Sequence, residues 1–524
     1  MSTANTPAGP PGSVRTDPAP AARSAVSTAA STAASTTTNT AAAPTGKPEP
    51  LTRENLRIGA SLALGSFMVL LDSTVVSVAT PTLAARFGAS LSTVAWATTA
   101  YLLTLSLVIP LSAWALERFG GKRVWLGAIT VFCLGSLLCG TAWSIGALIA
   151  MRVFQGLGGG LIQPVGQALI GRTVGPRQMA RVMSVLSVPM LLGPVLGPVV
   201  SGLLIDDAGW RWIFLINLPL GVLAFALVRR TVPAQPAQPG HRLDLRGVLM
   251  VSPGLAALVY GCAEVGAAGG LSSIGGDIAL IGGVVLLAAF GWYAFRPQAA
   301  EGTPAATATA RPGLLLDLRL LTSRGTGAAM AGAFLLGAGM FGALFLLPLY
   351  FQQAKGADAL HAGLLLGPQG VGAAAASLVA GRIVHRTGGR VLVVTGMVVC
   401  SLGTVPFILL TAGTSTSLLA AVLLVRGLGM GLVMAPLFTA AYAGLDRSAI
   451  PRASTLFNIL NRLGGSLGTA VLAVALQRRL AAASPGTGTG AHLASAYNLA
   501  FAWALVLSVL ALVPAVLLPG RPRR

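Results

Sequence analysis

Along this chain, long apolar stretches alternate with short breaks rich in Gly, Pro and charge. The stretches fall near 58–80, 94–116, 124–142, 145–170, 182–205, 212–228, 246–264, 276–295, 327–350, 361–383, 391–411, 417–441, 454–476 and 497–518. A segment crossing lipid has to satisfy every backbone N–H and C=O internally, so it is helical and needs about 20 mainly apolar residues. The pattern therefore predicts an all-α integral membrane protein with fourteen transmembrane helices. An even number of crossings leaves both chain ends on one side.

Composition sharpens this picture. Of 524 residues, 54% are hydrophobic and 9% charged, against roughly 25% charged in a soluble domain, which excludes a water-soluble globule. The formal charge of +21 would suit a nucleic-acid binder if it formed one stripe, but the Lys and Arg are scattered between apolar runs, so no nucleic acid is expected as a partner. They gather in every second loop. The remaining loops hold only Arg86, Arg211, Lys355, Arg478 and Arg479. The positive-inside rule then puts both termini in the cytoplasm of a multi-pass plasma-membrane protein; the Arg478-Arg479 pair is a local exception that charge does not explain. Cys133, Cys139, Cys262 and Cys400 all sit in apolar runs without metal-type spacing and read as packing residues.

A repeat emerges when the loops are aligned. Arg118-Phe119-Gly120-Gly121-Lys122 is matched by Arg386-Thr387-Gly388-Gly389-Arg390, and Gly156 to Leu161 by Gly427 to Leu432. Two matches at nearly one spacing indicate duplication, and a parallel repeat about a membrane-normal axis is a transporter architecture. The expected organisation is a disordered cytoplasmic tail (1–54), a six-helix bundle (55–229), two inserted helices with flanking loops (230–325), a second six-helix bundle (326–518) and a basic cytoplasmic tail (519–524).

Among the fourteen Asp and Glu, only Asp72 and Glu264 fall within predicted spans. A carboxylate costs about 2.5–3.5 kcal/mol at the bilayer centre on insertion scales, so one retained there usually faces a cavity and exchanges protons or binds a cation. Asp72 lies about 21 Å into helix 1 from the inner side and Arg152 about 9 Å into helix 4 from the outer side, the same level of a ~30 Å core. Arg152 is therefore expected to hold Asp72 ionised until a proton or a cationic substrate displaces the pair; a purely structural ion pair is the alternative. Glu264, at the outer end of helix 7, is either a second coupling acid or an interfacial one. Gln163, Gln167, Gln369, Asn458 and Asn461 are candidate cavity-lining groups, with interhelical hydrogen bonding as the equal alternative. Arg426 and Arg462 are intramembrane cations that should face the interior, and no acidic partner presents itself.

These residues resemble the major facilitator superfamily, in particular its fourteen-helix drug:proton antiporter branch, across roughly residues 55 to 518. The motifs run in order: Leu71 to Val76, Trp96 to Tyr101, Ala113 to Arg123, Arg152 to Gly156, Gly193 to Pro198, and Trp210 to Asn217. The resemblance implies the major facilitator fold and a role for Arg152 in proton coupling. It makes Glu117, Arg118, Gly120 and Lys122, with Arg386 in the second copy, a cytoplasmic gate latching the two bundles. It also makes Gly193, Pro194, Gly197, Pro198 and Gly202 an antiporter motif, associated with exporters. Ala113 and Glu117 depart from the family's usual Gly and Asp, and His385 stands at the acidic position of the second copy.

No phosphate-binding loop is present, and His241, His361, His385 and His492 are dispersed, so neither an ATP-driven pump nor a metal site or membrane enzyme is expected. The expectation is a secondary transporter exporting small hydrophobic or amphipathic compounds, drugs and antibiotics among them, in exchange for protons, with no cofactor. Its partners are the small-molecule substrate, protons and the lipid bilayer. The lone Asp72 tilts the substrate toward cationic or amphipathic compounds. An uptake symporter or a transporter-derived nutrient sensor on the same scaffold is the alternative.

Overall fold

The computed structural model describes residues 52–174, 176–238, 240, 242–296, 314–411, 413–482 and 489–520. Nearly all of the N-terminal tail, the last four residues and the side chains of Pro194 and His385 lie outside the described set. Thirteen helices among the described residues are long and apolar enough to cross a membrane, and the bent pair Gln178–Gly193 and Leu196–Ile205, at 48°, makes the fourteenth. The bend falls where Pro194 removes a helical N–H.

The first six spans are α1 (Arg53–Val76), α2 (Leu91–Phe119), α3 (Gly121–Gly140), α4 (Ile145–Thr173), α5 (Pro176–Asp207) and α6 (Trp212–Thr231). Two follow, α7 (Leu245–Ala268) and α8 (Ile274–Phe295). The last six are α9 (Arg324–Lys355), α10 (Leu360–Val384), α11 (Gly389–Ile408), α12 (Thr416–Tyr442), α13 (Ile450–Ala481) and α14 (Leu493–Leu517). Each sequence-predicted span has its helix. Several run longer at both ends, because a helix continues past the hydrocarbon into polar residues that satisfy its last turns. We call the side where α1 begins the near side and the opposite side the far side.

The two sets of six pack in the same way. In the first, α1 packs on α5 and α6, and α4 on α2 and α3; in the second, α9 packs on α13 and α14, and α12 on α10 and α11. The repeated glycines explain the match. Gly158 lies against Ala128 and Phe132 of α3 and Gly160 against Leu105 of α2, while Gly429 lies against Gly396 and Cys400 of α11 and Gly431 against Ala373 and Ser377 of α10. Between lipid-soluble helices there is no hydrophobic drive to associate, so close backbone approach at small residues supplies the contact.

The two halves meet asymmetrically. α5 and α10 are in direct contact along one seam, with Gly363 against Pro198 and Gly381 against Ser184. At the opposite seam α7 is wedged beside α2 and α13. Its start is pinned by Asp244, whose carboxylate accepts from Gly247 N (2.9 Å), Leu315 N (3.2 Å) and Tyr293 Oη of α8 (3.2 Å). α8 is the outer member of this hairpin: Ile274, Ile278 and Ile281 are all more than half exposed. At the other end of α7, Arg478 Nε donates to Gly269 O at 3.0 Å. That accounts for one of the two arginines left unexplained by charge, since a cation complements the unsatisfied carbonyls at a helix C-terminus.

A side chain at Gly158 would collide with Ala128 O and the backbone of Phe132, whereas one at exposed Gly127 would meet nothing within 4 Å. Gly158→Val is expected to lower stability by about 1–3 kcal/mol through overpacking, read as a reduced Tm in detergent, with Gly127→Ala unchanged; equal Tm values for the two variants would contradict the seam.

Candidate functional site

The buried chemistry gathers where α1, α3, α4 and α6 converge. Asp72, Ser136, Arg152, Gln155 and Asn217 are all 0% exposed. Arg152 Nη1 donates to Asp72 Oδ2 at 2.6 Å and to Gln155 Oε1 at 2.7 Å. The other carboxylate oxygen, Oδ1, accepts from Gln155 Nε2 at 3.0 Å and Asn217 Nδ2 at 2.9 Å. Asn217 Nδ2 also donates to Ser136 Oγ at 3.0 Å, and Ser136 Oγ to Phe214 O at 2.8 Å. Arg152 Nε reaches Ala97 O at 3.3 Å, and its guanidinium stacks on Tyr101 at 4.0 Å. A desolvated ion pair persists only when hydrogen bonds answer the lone pairs that water has left, and these partners supply them.

Asp72 and Arg152 thus meet as their matching depths suggest. Gln155 and Asn217 were missed as members of this cluster, although both stand in the quoted motifs. The available signal was spacing: Gln155 is three residues after Arg152, on the same helix face. Glu264 stands apart. It is half-buried, with Gly276 of α8 packed on its Cβ, and it lines neither of the large cavities below.

Beside this cluster are two adjoining cavities of about 490 and 520 Å³ that share Leu102, Phe341, Phe345, Arg462 and Thr469. The first lies against α7 at Val259 and Cys262 and reaches Gln477 and Leu480 at the far end of α13. The second reaches Val78, Pro81 and Gln352 at far-side helix ends. Of the polar candidates, Gln163, Asn458 and Asn461 line the second cavity. Gln369 instead lines a separate space of about 40 Å³ and accepts from Arg426. Gln167 is 0% exposed and serves as a hydrogen-bond partner between the halves, so it lines no cavity wall here. Asp72 lines neither cavity, because its shell of partners seals it.

The near side is closed by bonds between the halves. Asn458 Nδ2 donates to Gln167 Oε1 at 2.7 Å, Ser454 Oγ to Pro164 O at 2.8 Å and Arg172 Nε to Arg447 O at 3.1 Å. Ser112 Oγ and Thr455 Oγ1 are 2.7 Å apart. Among the predicted gate residues, Glu117 joins this closure, with Arg452 of α13 3.6 Å from its carboxylate. Gly120 (φ 86°) turns the chain between α2 and α3 against Gln235 O. Lys122 Nζ donates to Arg229 O within the first half. Arg118 is half-buried and Arg386 exposed; neither bridges the halves among the contacts of the described residues. In α5, Gly193 lies against Leu70, Gly197 against Thr74, and Ser201 Oγ donates to Val75 O at 3.0 Å, so this face seats α1; Gly202 and Pro198 look toward α10 instead.

Breaking a buried pair from one side leaves an uncompensated charge, at a cost of about 3–5 kcal/mol. Arg152→Met is expected to lose stability on that scale, and Asp72→Asn combined with Arg152→Met to recover most of it. Thermal unfolding of single and double variants checks this, and a double variant no more stable than Arg152→Met would contradict it.

Two segments of the chain, 62–275 and 250–469, match the Major Facilitator Superfamily. The chain is 37% identical over 509 residues to the multidrug resistance protein B homolog of Mycobacterium tuberculosis, covering 90% of this chain and 91% of that protein. It is 31% identical over 418 residues to the putative multidrug resistance protein MdtD of Yersinia enterocolitica, covering 79% and 85%. In architecture it is similar to the crystal structure of the human organic anion transporter MFSD10, with a TM-score of 0.60 at 18% identity over 89% of this chain and all of that one. Its duplicated packing, its apolar spans and these matches agree: the chain belongs to the Major Facilitator Superfamily of membrane transporters.

Proposed function

We propose that the chain is a secondary active exporter of small hydrophobic or amphipathic compounds, exchanging them for protons across the plasma membrane. The observation that carries the reading is a fully sealed, ion-paired carboxylate beside a cavity large enough for a drug-sized molecule. The multidrug resistance proteins among its relatives support the export direction. With both termini cytoplasmic, the near side is the cytoplasm, and the cavity faces outward above a closed inner gate.

In this reading, residues 55–229 and 326–518 rock as two bundles, 230–325 carries the α7–α8 hairpin, and 1–54 and 519–524 are cytoplasmic tails. A compound leaves the cavity to the outside, and a proton from that side then reaches Asp72. Tyr101 stacks on the Arg152 guanidinium at 4.0 Å and directly precedes Leu102, which lines both cavities. It is the group we assign to that approach. Protonation cancels the charge that Arg152 answers, releases Arg152 to its other partners, and lets the inner closure at Asn458–Gln167 and Glu117–Arg452 open. The proton departs inward as the next compound enters, so one direction of movement drives the other.

Efflux of a panel of lipophilic dyes and antibiotics from cells making the protein tests this. Export is expected to collapse with an uncoupler, and Asp72→Asn to abolish uphill export with protein still in the membrane. Uncoupler-sensitive export that survives Asp72→Asn would overturn the role of Asp72.

A further inference from the structure

The cavities carry one formal charge, and it is positive. Arg462 of α13 lines both, and no Asp or Glu lines either. The two other arginines set deep in the spans are answered. Arg152 is paired with Asp72, and Arg426 donates to Thr404 Oγ1 at 3.3 Å, Gln369 Oε1 at 3.2 Å and Gly339 O at 3.5 Å. The Arg462 guanidinium makes no hydrogen bond or ion pair among the described residues; its aromatic contact is with Phe341, 5.8 Å from the ring centroid. A cation held within a membrane span is expensive to keep and marks a substrate or ion path.

We propose that Arg462 is the recognition charge of the cavity, and that the compounds it selects are lipophilic anions: carboxylates, sulfonates or phenolates on an apolar body. The planar fork of a guanidinium matches the two oxygens of a carboxylate or sulfonate, and desolvation by the surrounding helices strengthens the attraction. Thr469 offers a hydroxyl on the same wall. Leu102, Phe341, Phe345 and Val259 supply the apolar surface. Cations are rejected by the same charge, since no Asp or Glu among the described residues lines either cavity to answer it. This names the substrate class of the export reading and rests on it only for direction of movement.

The test uses the full chain in phosphatidylcholine nanodiscs and three fluorescent probes on one skeleton: pyrenebutanoate, its uncharged amide, and the corresponding trimethylammonium. The anion is expected to bind wild type saturably and at least tenfold more tightly than the other two. Arg462→Gln should erase that preference, with a thermal unfolding midpoint and gel-filtration profile like those of wild type reporting that the variant is folded; Arg462→Lys should retain part of it. An anion bound no more tightly than the amide, or a preference surviving Arg462→Gln, would overturn the assignment. Proton-driven movement in proteoliposomes separates the two readings. Anion bound through Arg462 but not moved sinks antiport and leaves the site standing, whereas amide or cation moved with no anion bound sinks the site and leaves antiport standing.

Discussion

A carboxylate cannot sit alone in lipid, and the first half of this protein is arranged around the answer to Asp72. Arg152 neutralises it, Gln155 and Asn217 fill its remaining lone pairs, and Ser136 holds Asn217. Four helices, α1, α3, α4 and α6, each contribute one or more of these groups, so the cluster can form only if all four approach closely. The glycine seams make that approach possible. Gly135 lies against the backbone of Gln155 and Gly156 against Thr104 and Tyr101 O. Packing and electrostatics therefore depend on each other: bulk at a seam glycine would pull apart the hydrogen bonds that make the buried charge tolerable.

Duplication gave the second half the same packing but different chemistry. Its deep cation, Arg426, is answered by neutral oxygens rather than by an acid. Nothing comparable to Asp72 has to be sealed there, and the remaining cation, Arg462, is left open to the cavity. The seams between the halves differ as well. α5 and α10 close one of them directly, while α7 fills the other and becomes a cavity wall. The ion-paired acid and the cation that faces the cavity are thus on separate halves.

The fourteen spans were legible because lipid imposes one length and one composition, and the repeat was legible because seam glycines admit no substitute. Asp72 and Arg152 could be paired from depth alone, since a charge leaves few choices. Gln155 and Asn217 could not, because neutral amides carry no such constraint and their partners lie on other helices. Polar residues were recognisable as interior, but their facing was not. Gln167 and Gln163 are one turn apart on α4, yet one joins the closure and the other the cavity. What turns Arg462 toward the cavity is the rotation of α13 fixed by Gly464 and Gly468 against Phe334 and Ala338 of α9, a tertiary fact with no local signature.

The account's central claim is that the charge state of Asp72 sets whether the near side is closed. The most direct measurement is the distance between spin labels at Thr173 and Ser448, which flank the Arg172–Arg447 contact across that closure, recorded over a range of pH in a cysteine-free background. The account predicts two populations, the short one of the present structure and a longer one, whose ratio changes with pH in wild type and is locked in Asp72→Asn. The same pH-dependent exchange in Asp72→Asn, or a single unchanging distance in wild type, would contradict it.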